Sequence, residues 1–412
     1  MSELARTVEA VWRIEGARVL ATLTRMTGDL DRAEDLAQES LVDALTQWSE
    51  AGVPANPGAW LTTVARRKAI DAWRRAARLD ERYAQIARDL ETASEDEWQP
   101  VEDDVLRLVL TACHPVLSRE SQLALTLRVV SGLSSAQIAR LLLVPVPTVQ
   151  ARITRTKQTL AAARVPFEVP EREQWGERLG AVLGVVYLVY TEGYAATSGE
   201  RWTRPELAGE ALRLARILAG LLPREPEVLG LLALIELQSS RFGARTAPDG
   251  SPVLLDRQDR SRWDHAQIAR GREALRRAGA LGRGLGPYGL QAAIAEQHAI
   301  APSVEETDWA RIVLLFEALA QIAPSPVVEL NRAVALAYAT GPEDGLRVVD
   351  RLAREGALRG SHLLPSVRGE LLARLGRFAE ARGELLAAAE LARNERERAV
   401  LLDKAGALPL AP

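Results

Sequence analysis

A single cysteine, Cys113, stands in the 412 residues of the chain. That excludes an internal disulfide and a multi-thiolate zinc site, and it fits a reducing cytoplasm. Aromatic residues are scarce at 5%. Together with abundant Ala, Leu and Arg, their scarcity disfavours sheets, whose formers are the aromatic and β-branched residues. Long apolar runs are lacking too. The longest, around Leu179–Tyr190, is too short to cross a bilayer and reads as a buried core helix. The opening MSELARTVEA has no apolar core, so no signal peptide and no membrane partner are expected. His265, His298 and His362 are scattered without metal-ligand spacing, so no metal is expected. Cys113 and His114 are adjacent, which on a helix points their side chains apart. With no third partner in sight, no catalytic residue and no cofactor are expected.

What is present is helical and unevenly charged. Hydrophobic residues make up 47% and charged residues 26%, ordinary for a globular protein of two or three domains. The net charge of −3 conceals a strong asymmetry. From Val105 to Val165 the basic residues Arg107, Arg119, Arg128, Arg140, Arg152, Arg155, Lys157 and Arg164 face one acid, Glu120. Immediately before them, DLETASEDEWQPVEDD carries acids and no base, and it is poor in periodic apolar residues. The expected organisation is therefore a helical block over 1–87, an acidic linker over 88–104, a basic helical block over 105–165 and a long helical region over 166–412 that begins at the prolines of VPFEVPERE.

The segment SSAQIARLLLVPVPTVQARITRTKQTL predicts a helix-turn-helix. Ser134 with Gln137 three residues on is a capping box, starting a short helix with Ile138 and Leu141 on its apolar side. Propensity fails at Val144-Pro145-Val146-Pro147, and Pro147 can open a second helix. There Val149 and Ile153 are spaced to face a core. Thr148, Ala151, Arg152 and Arg155 share an outer face, flanked by Gln150, Thr154 and Lys157. Such a helix can present Arg and Gln to base edges and Lys and Thr to phosphates.

The first block holds two further helices. In TGDLDRAEDLAQESLVDALTQW, Leu30, Ala33, Ala37, Leu41, Ala44, Leu45 and Trp48 form an apolar stripe, with Asp35, Gln38 and Glu39 grouped opposite it. In NPGAWLTTVARRKAIDAWRRAARL, Trp60, Leu61, Val64, Ala65 and Ala69 can bury. Arg67, Asp71, Arg74, Arg75 and Arg78 share a cationic face flanked by Arg66 and Lys68, with Trp73 available to stack or to bury.

These residues resemble a known family. AEDLAQES (33–40) with AWLTTVARRKAIDAWRR (59–75) is similar to region two of the sigma-70 family of RNA polymerase sigma factors, extracytoplasmic-function group, and 105–164 is similar to region four. TACHPVLS, YLVYTEGYAATSGE, EVLGLLALIEL, QDRSRWD, GPYGLQAAIAEQHA, TDW and LNRAVALA resemble a branch of that group with a tetratricopeptide-like C-terminal extension. Consistent with such an extension, two helix-turn-helix units carry turn glycines Gly341 and Gly376, spaced near the tetratricopeptide period.

The resemblance implies an all-α fold: two small sigma modules followed by a larger helical domain. It implies that Asp35, Gln38 and Glu39 bind the polymerase core. Arg66, Arg67, Lys68, Asp71, Trp73, Arg74, Arg75 and Arg78 would meet the melted minus-ten element. Thr148, Gln150, Ala151, Arg152, Thr154, Arg155 and Lys157 would read the minus-thirty-five element of promoter DNA. The acidic linker would occupy the RNA exit path, mimicking nucleic acid by charge.

At the turn, Leu143 stands where most helix-turn-helix units have Gly; a left-handed backbone there would strain it, and the prolines suggest a different turn path. QDRSRWD reads as a buried salt-bridge network fixing a loop rather than as a ligand site. The extension is expected to regulate activity in cis, by packing on the sigma modules or on polymerase. The rival reading is a helix-turn-helix regulator with a helical sensor domain, which leaves the region-two pattern unexplained.

Overall fold

The computed structural model describes residues 3–77, 102–195, 203–247 and 251–409, and among them the regular structure is helical, with one isolated β-bridge between Thr246 and Pro252. The chain divides into two compact units, 1–186 and 187–412.

The first unit opens with α1 (Glu3–Thr27), α2 (Leu30–Ala51) and α3 (Pro57–Ala77), packed pairwise on one another. Asp29 caps α2 by accepting hydrogen bonds from the Asp31 and Arg32 amides at 2.8 and 3.1 Å. Leu20, Leu23, Leu36, Ala37, Leu61 and Ala65 form the core of this bundle. The α2 stripe differs from expectation at one edge. Leu45 is exposed, whereas Leu36, Ser40 and the carboxylate-bearing Glu34 are buried. The buried face is thus rotated toward 33/34/36/37/40, because α1 and α3 cover α2 from both sides. Trp48 lies edge-on to Trp60 at 5.3 Å between ring centroids.

Four helices follow: α4 (Glu102–Ala112), α5 (Arg119–Val129), α6 (Ser135–Leu142) and α7 (Val146–Ala162). Leu108, Leu110, Leu125, Leu127, Ile138 and Val149 make their core. Residues 102–104, assigned by composition to the linker, form the first turn of α4. Asp104 there is buried and bonds Arg25 of α1 at 2.8 Å and Arg107 at 2.9 Å. The rest of the linker, and Arg78, lie outside the described residues. Helix α8 (Arg172–Tyr194) contains the apolar run, with Val182, Val185, Val186, Val189 and Tyr190 buried.

The second unit continues with α9 (Pro205–Leu221), α10 (Pro226–Ser239), the short α11 (Phe242–Arg245), two 3₁₀ turns (Leu255–Arg257 and Arg260–Arg262), α12 (His265–Ala280) and α13 (Pro287–Ile300). Helix α10 is buried all round, with Leu229, Leu231, Leu234 and Leu237 at 0–1% exposure, because α9, α12 and α13 all pack on it. Gly230 permits the closest approach: a Cβ there would lie 2.6 Å from the backbone nitrogen of Gly289. Six more helices complete the unit: α14 (Trp309–Ile322), α15 (Pro326–Ala339), α16 (Pro342–Arg354), α17 (Leu363–Arg374), α18 (Phe378–Leu391) and α19 (Glu395–Ala407). Gly341 and Gly376 join α15 to α16 and α17 to α18, with φ of 126° and 75° that side-chain-bearing residues resist.

The segment QDRSRWD is fixed differently from expectation. Among the described residues, Gln258–Asp264 forms no ion pair. Asp259 accepts from the Ser261 amide, Asp264 caps α12 at the Gln267 amide, and Arg260 donates to the carbonyls of His298 and Ala301 at 2.5 and 2.7 Å. Backbone donors take the carboxylates and backbone acceptors take one edge of Arg260, so the charges are not spent on each other.

Candidate nucleic-acid interface

The helix-turn-helix is built from local signals. The Ser134 side chain accepts from the Gln137 amide while the Gln137 side chain accepts from the Ser134 amide, a reciprocal cap. Helix α6 ends at Leu143, whose φ of 53° and ψ of 44° are left-handed. Its neighbour Val144 donates back to the Ala139 carbonyl at 3.1 Å. The prolines thus do not divert the turn from a left-handed residue, and Leu143 is strained; L-residues in this conformation carry a cost of about 1–2 kcal/mol. Pro145 is the cap of α7, with Val146 and Pro147 its first two residues. Val149 and Ile153 are buried against α5 and α6, as their spacing predicts.

That anchoring leaves Gln150, Ala151, Thr154 and Arg155 exposed on α7, with Thr148 and Arg152 half-buried. Arg155 Nε donates to the Ala151 carbonyl at 3.2 Å, which holds the guanidinium along the helix. Glu120, the lone acid of this block, has its carboxyl held below the ordinary range by its own backbone amide, by Ser118 and by the nearby Arg152.

Lys157 is placed differently from its companions. Its ammonium reaches Asp31 Oδ1 and Glu34 Oε2 of α2, each at 2.6 Å. The directed hydrogen bond goes to Asp31, and the approach to Glu34 is an ionic contact. Glu34 also accepts from Arg128 Nε of α5 at 2.5 Å. Burial pushes the Glu34 carboxyl up, but Arg128 and Lys157 outweigh burial and hold it below the ordinary carboxylate range. Gln137 Nε2 adds a bond to Glu9 of α1 at 2.6 Å. The helix-turn-helix is therefore fastened to the N-terminal bundle by buried and half-buried polar groups. Sequence reasoning missed Glu34, Arg128, Asp31 and Glu9. The available signal was a carboxylate lying inside an apolar stripe, next to Ala33 and four residues from Leu30.

Asp35, Gln38 and Glu39 are exposed together on α2. On α3, Arg67, Asp71 and Arg74 are exposed and Arg66 is half-buried. Lys68 lies 3.0 Å from Asp43 and 3.8 Å from Glu39, so α2 and α3 share a charged seam. Trp73 and Arg75 belong to the helix, without described side chains.

Cys113 and His114 fall in the turn after α4 rather than within a helix. The thiol is buried and bonded to Thr126 Oγ1 at 3.3 Å, and burial pushes it up to about 11. A thiol so held is a structural side chain, not a nucleophile. Among the described residues no cluster of His, Cys, Asp or Glu could hold a metal, and no helix is long and apolar enough to cross a membrane.

A three-helix bundle with a capped helix-turn-helix and an exposed basic helix defines a class of helical DNA-reading proteins, and comparison with known proteins specifies it. Residues 12–79 match the family model for sigma-70 region 2, and 107–160 match that for sigma-70 region 4. Residues 178–279 match a family of unknown function, DUF6596. The chain is 42% identical to "Uncharacterized protein R00370" of Rhizobium meliloti (strain 1021), over 93% of this chain and 92% of that one. It is 34% identical to "ECF RNA polymerase sigma factor SigL" of Mycobacterium tuberculosis, over 31% of this chain and 72% of that one. No solved structure matches. The chain belongs to the sigma-70 family of RNA polymerase sigma factors.

Proposed function

We propose that this chain is a sigma factor of the extracytoplasmic-function group that binds core polymerase and directs promoter recognition and melting. The observation that carries the reading is the pairing, in one compact unit, of the exposed Asp35/Gln38/Glu39 face with the α7 helix and its Gln150, Thr154 and Arg155. The modules are 1–87 and 105–165, joined by an acidic linker over 88–104 whose last residues, 102–104, already turn into α4. Core polymerase takes the Asp35 face. The α3 face of Arg66, Arg67, Asp71 and Arg74 meets the minus-ten strand, and α7 meets the minus-thirty-five duplex, where cations gain from counterion release. Lys157 reaches a phosphate only after leaving Asp31 and Glu34, so promoter engagement opens that contact.

In vitro transcription with purified core polymerase on genomic fragments tests this. Discrete transcripts that require the chain are expected. None, together with sequence-specific duplex binding by the chain alone, would move it to the class of free-standing helix-turn-helix regulators.

The region after 165 is proposed to be a tetratricopeptide-like extension that regulates in cis. Arg178 of α8 is buried and donates to the Leu110 carbonyl at 3.0 Å, so a cut at 165 strips a buried partner from α4. A chain ending at Ala195 keeps it. That truncation should transcribe at a markedly different level from the full chain, and equal levels would refute cis regulation.

A further inference from the structure

The second unit contains an open cavity of about 810 Å³, within the range of small-molecule sites. Its walls are mostly apolar and aromatic, including Leu237, Ile294, Phe316 and Tyr187. Trp309 and Tyr338 stack within it, with centroids 4.2 Å apart and planes 10° from parallel. Their faces are turned to each other, so they stiffen one side of the cavity, and a flat apolar body fits between their edges and the aliphatic lining.

The charges around this cavity do not cancel. Glu370 and Lys404 pair with each other. Arg374 donates to the Ala337 carbonyl at 2.9 Å and covers the Tyr338 ring. Asp256 and Arg257 are exposed at the rim. That leaves the charge of Arg241, with the uncharged imidazole of His298 beside it. Among the described residues Arg241 makes no ion pair, and its buried Nε has no hydrogen-bond partner. The buried Nδ1 of His298 has none either, while the ring lies edge-on to Trp309 at 5.2 Å. Arg260 lines an adjoining recess that shares Leu255, Asp256 and Val304 with the cavity. Its Nη1 is taken by two carbonyls, but its buried Nη2 is unpartnered. Arg241 and Arg260 flank the buried ring of Trp263, at 5.4 and 4.7 Å from its centroid. The acid that acts on this group is Glu305, on the exposed rim near Arg260.

Two guanidinium groups and an imidazole, drawn from three separate elements, thus converge, each with a buried nitrogen that has no partner, and among the described residues none of the three forms an ion pair. Desolvated cations without a partner are costly, and the partner that relieves the cost is an anion. We propose that this cavity is a binding site for a small organic anion with a flat apolar body, an aromatic carboxylate or its phosphate or sulfonate equivalent. Arg241 and His298 hold the anionic group, and the body lies among Leu237, Ile294 and Phe316, at the edge of the Trp309–Tyr338 stack. The segment QDRSRWD then has a further role: by setting Arg260 and Trp263 it holds the cationic end of the site.

Binding is measured on the full chain by calorimetry, with 1-naphthoate as the probe and 1-naphthamide as its uncharged isostere. No polymerase or DNA is involved, so the result is independent of the sigma-factor reading. Naphthoate should bind at least about tenfold more tightly than naphthamide, as hydrogen bonds to a charged group allow. Arg241→Gln should remove that preference and leave the naphthamide affinity unchanged. Should Arg241→Gln not fold, a nuclear magnetic resonance titration of His298 in the unmodified chain decides. Burial, with Arg241 and Arg260, pushes this imidazole down to about 4; bound naphthoate should raise that value and naphthamide should not. Equal affinities for the two probes, binding of neither, or an unmoved His298 would overturn the proposal.

Discussion

Replacing Glu34 by Gln removes one charge and almost no volume, and the structure sets what that costs. Glu34 is 7% exposed, and its two oxygens face Arg128 Nε at 2.5 Å and Lys157 Nζ at 2.6 Å. Removing one partner of a buried ion pair costs about 3–5 kcal/mol, because the opposite charge stays desolvated. Here the cations keep other partners: Arg128 the Leu133 carbonyl at 3.3 Å and Lys157 the Asp31 carboxylate at 2.6 Å. Gln can also still accept from Arg128. The lower end, about 3 kcal/mol, is therefore expected. For a unit of this size that lowers Tm by about 6–12 °C.

The carboxyl is held below its ordinary value in the folded chain. Its contribution is therefore fully present above the ordinary value of 4.5 and is lost as pH falls through the depressed folded value. The assay is thermal unfolding of the full chain and of Glu34→Gln at neutral and acidic pH. The gap between the two should narrow in acid. A double-mutant cycle with Arg128→Met should give a coupling of about 1–3 kcal/mol. A Tm change within about 1 °C at neutral pH, far below that expected for a broken buried pair, would refute the reasoning.

Three further outcomes follow from local geometry. Leu143→Gly relieves a left-handed cost of about 1–2 kcal/mol but adds unfolded-chain entropy of about 0.5–1 kcal/mol. Since Leu143 is 62% exposed and buries little, the urea midpoint should rise modestly, and a fall would show the turn is unstrained. Gly230→Ala gains about 1 kcal/mol of helix propensity but drives a Cβ to 2.6 Å from the Gly289 backbone. The clash wins, and a net loss of about 2 kcal/mol is expected in denaturant unfolding; unchanged stability would contradict the close approach of α10 and α13. Cys113, buried with its thiol pushed up to about 11, should react with a disulfide reagent at neutral pH only after denaturant is added. Rapid labelling of the native chain would disprove that placement.

The helix-turn-helix was readable because its signals are local. A capping box acts over three residues, prolines end a helix wherever they occur, and Val149 and Ile153 mark a buried face through period alone. The same holds for the turn glycines Gly341 and Gly376. The α2 stripe was readable as a stripe but not in its rotation. A period identifies the apolar side, whereas coverage from two neighbours decides how wide the buried arc is; hence Leu45 outside and Leu36 and Ser40 inside.

Composition, period and caps by themselves determined the helical class, the turn between α6 and α7 and the exposed polar faces of α2, α3 and α7, because each depends on interactions within a turn or two of the backbone; the family was legible only through the resemblance of whole motifs. Only the tertiary structure decided where the charges go. Glu34 meets Arg128 from 94 residues away, and Lys157, one of the residues grouped with the minus-thirty-five reader, is drawn to α2. Conversely, QDRSRWD held its expected loop without the expected ion pair among the described residues, and buried nitrogens of Arg241, Arg260 and His298 are left without a hydrogen-bond partner. A charge's partner is set by distance through space, and the strength of the pairing by the water excluded around it. Neither quantity is carried by spacing along the chain.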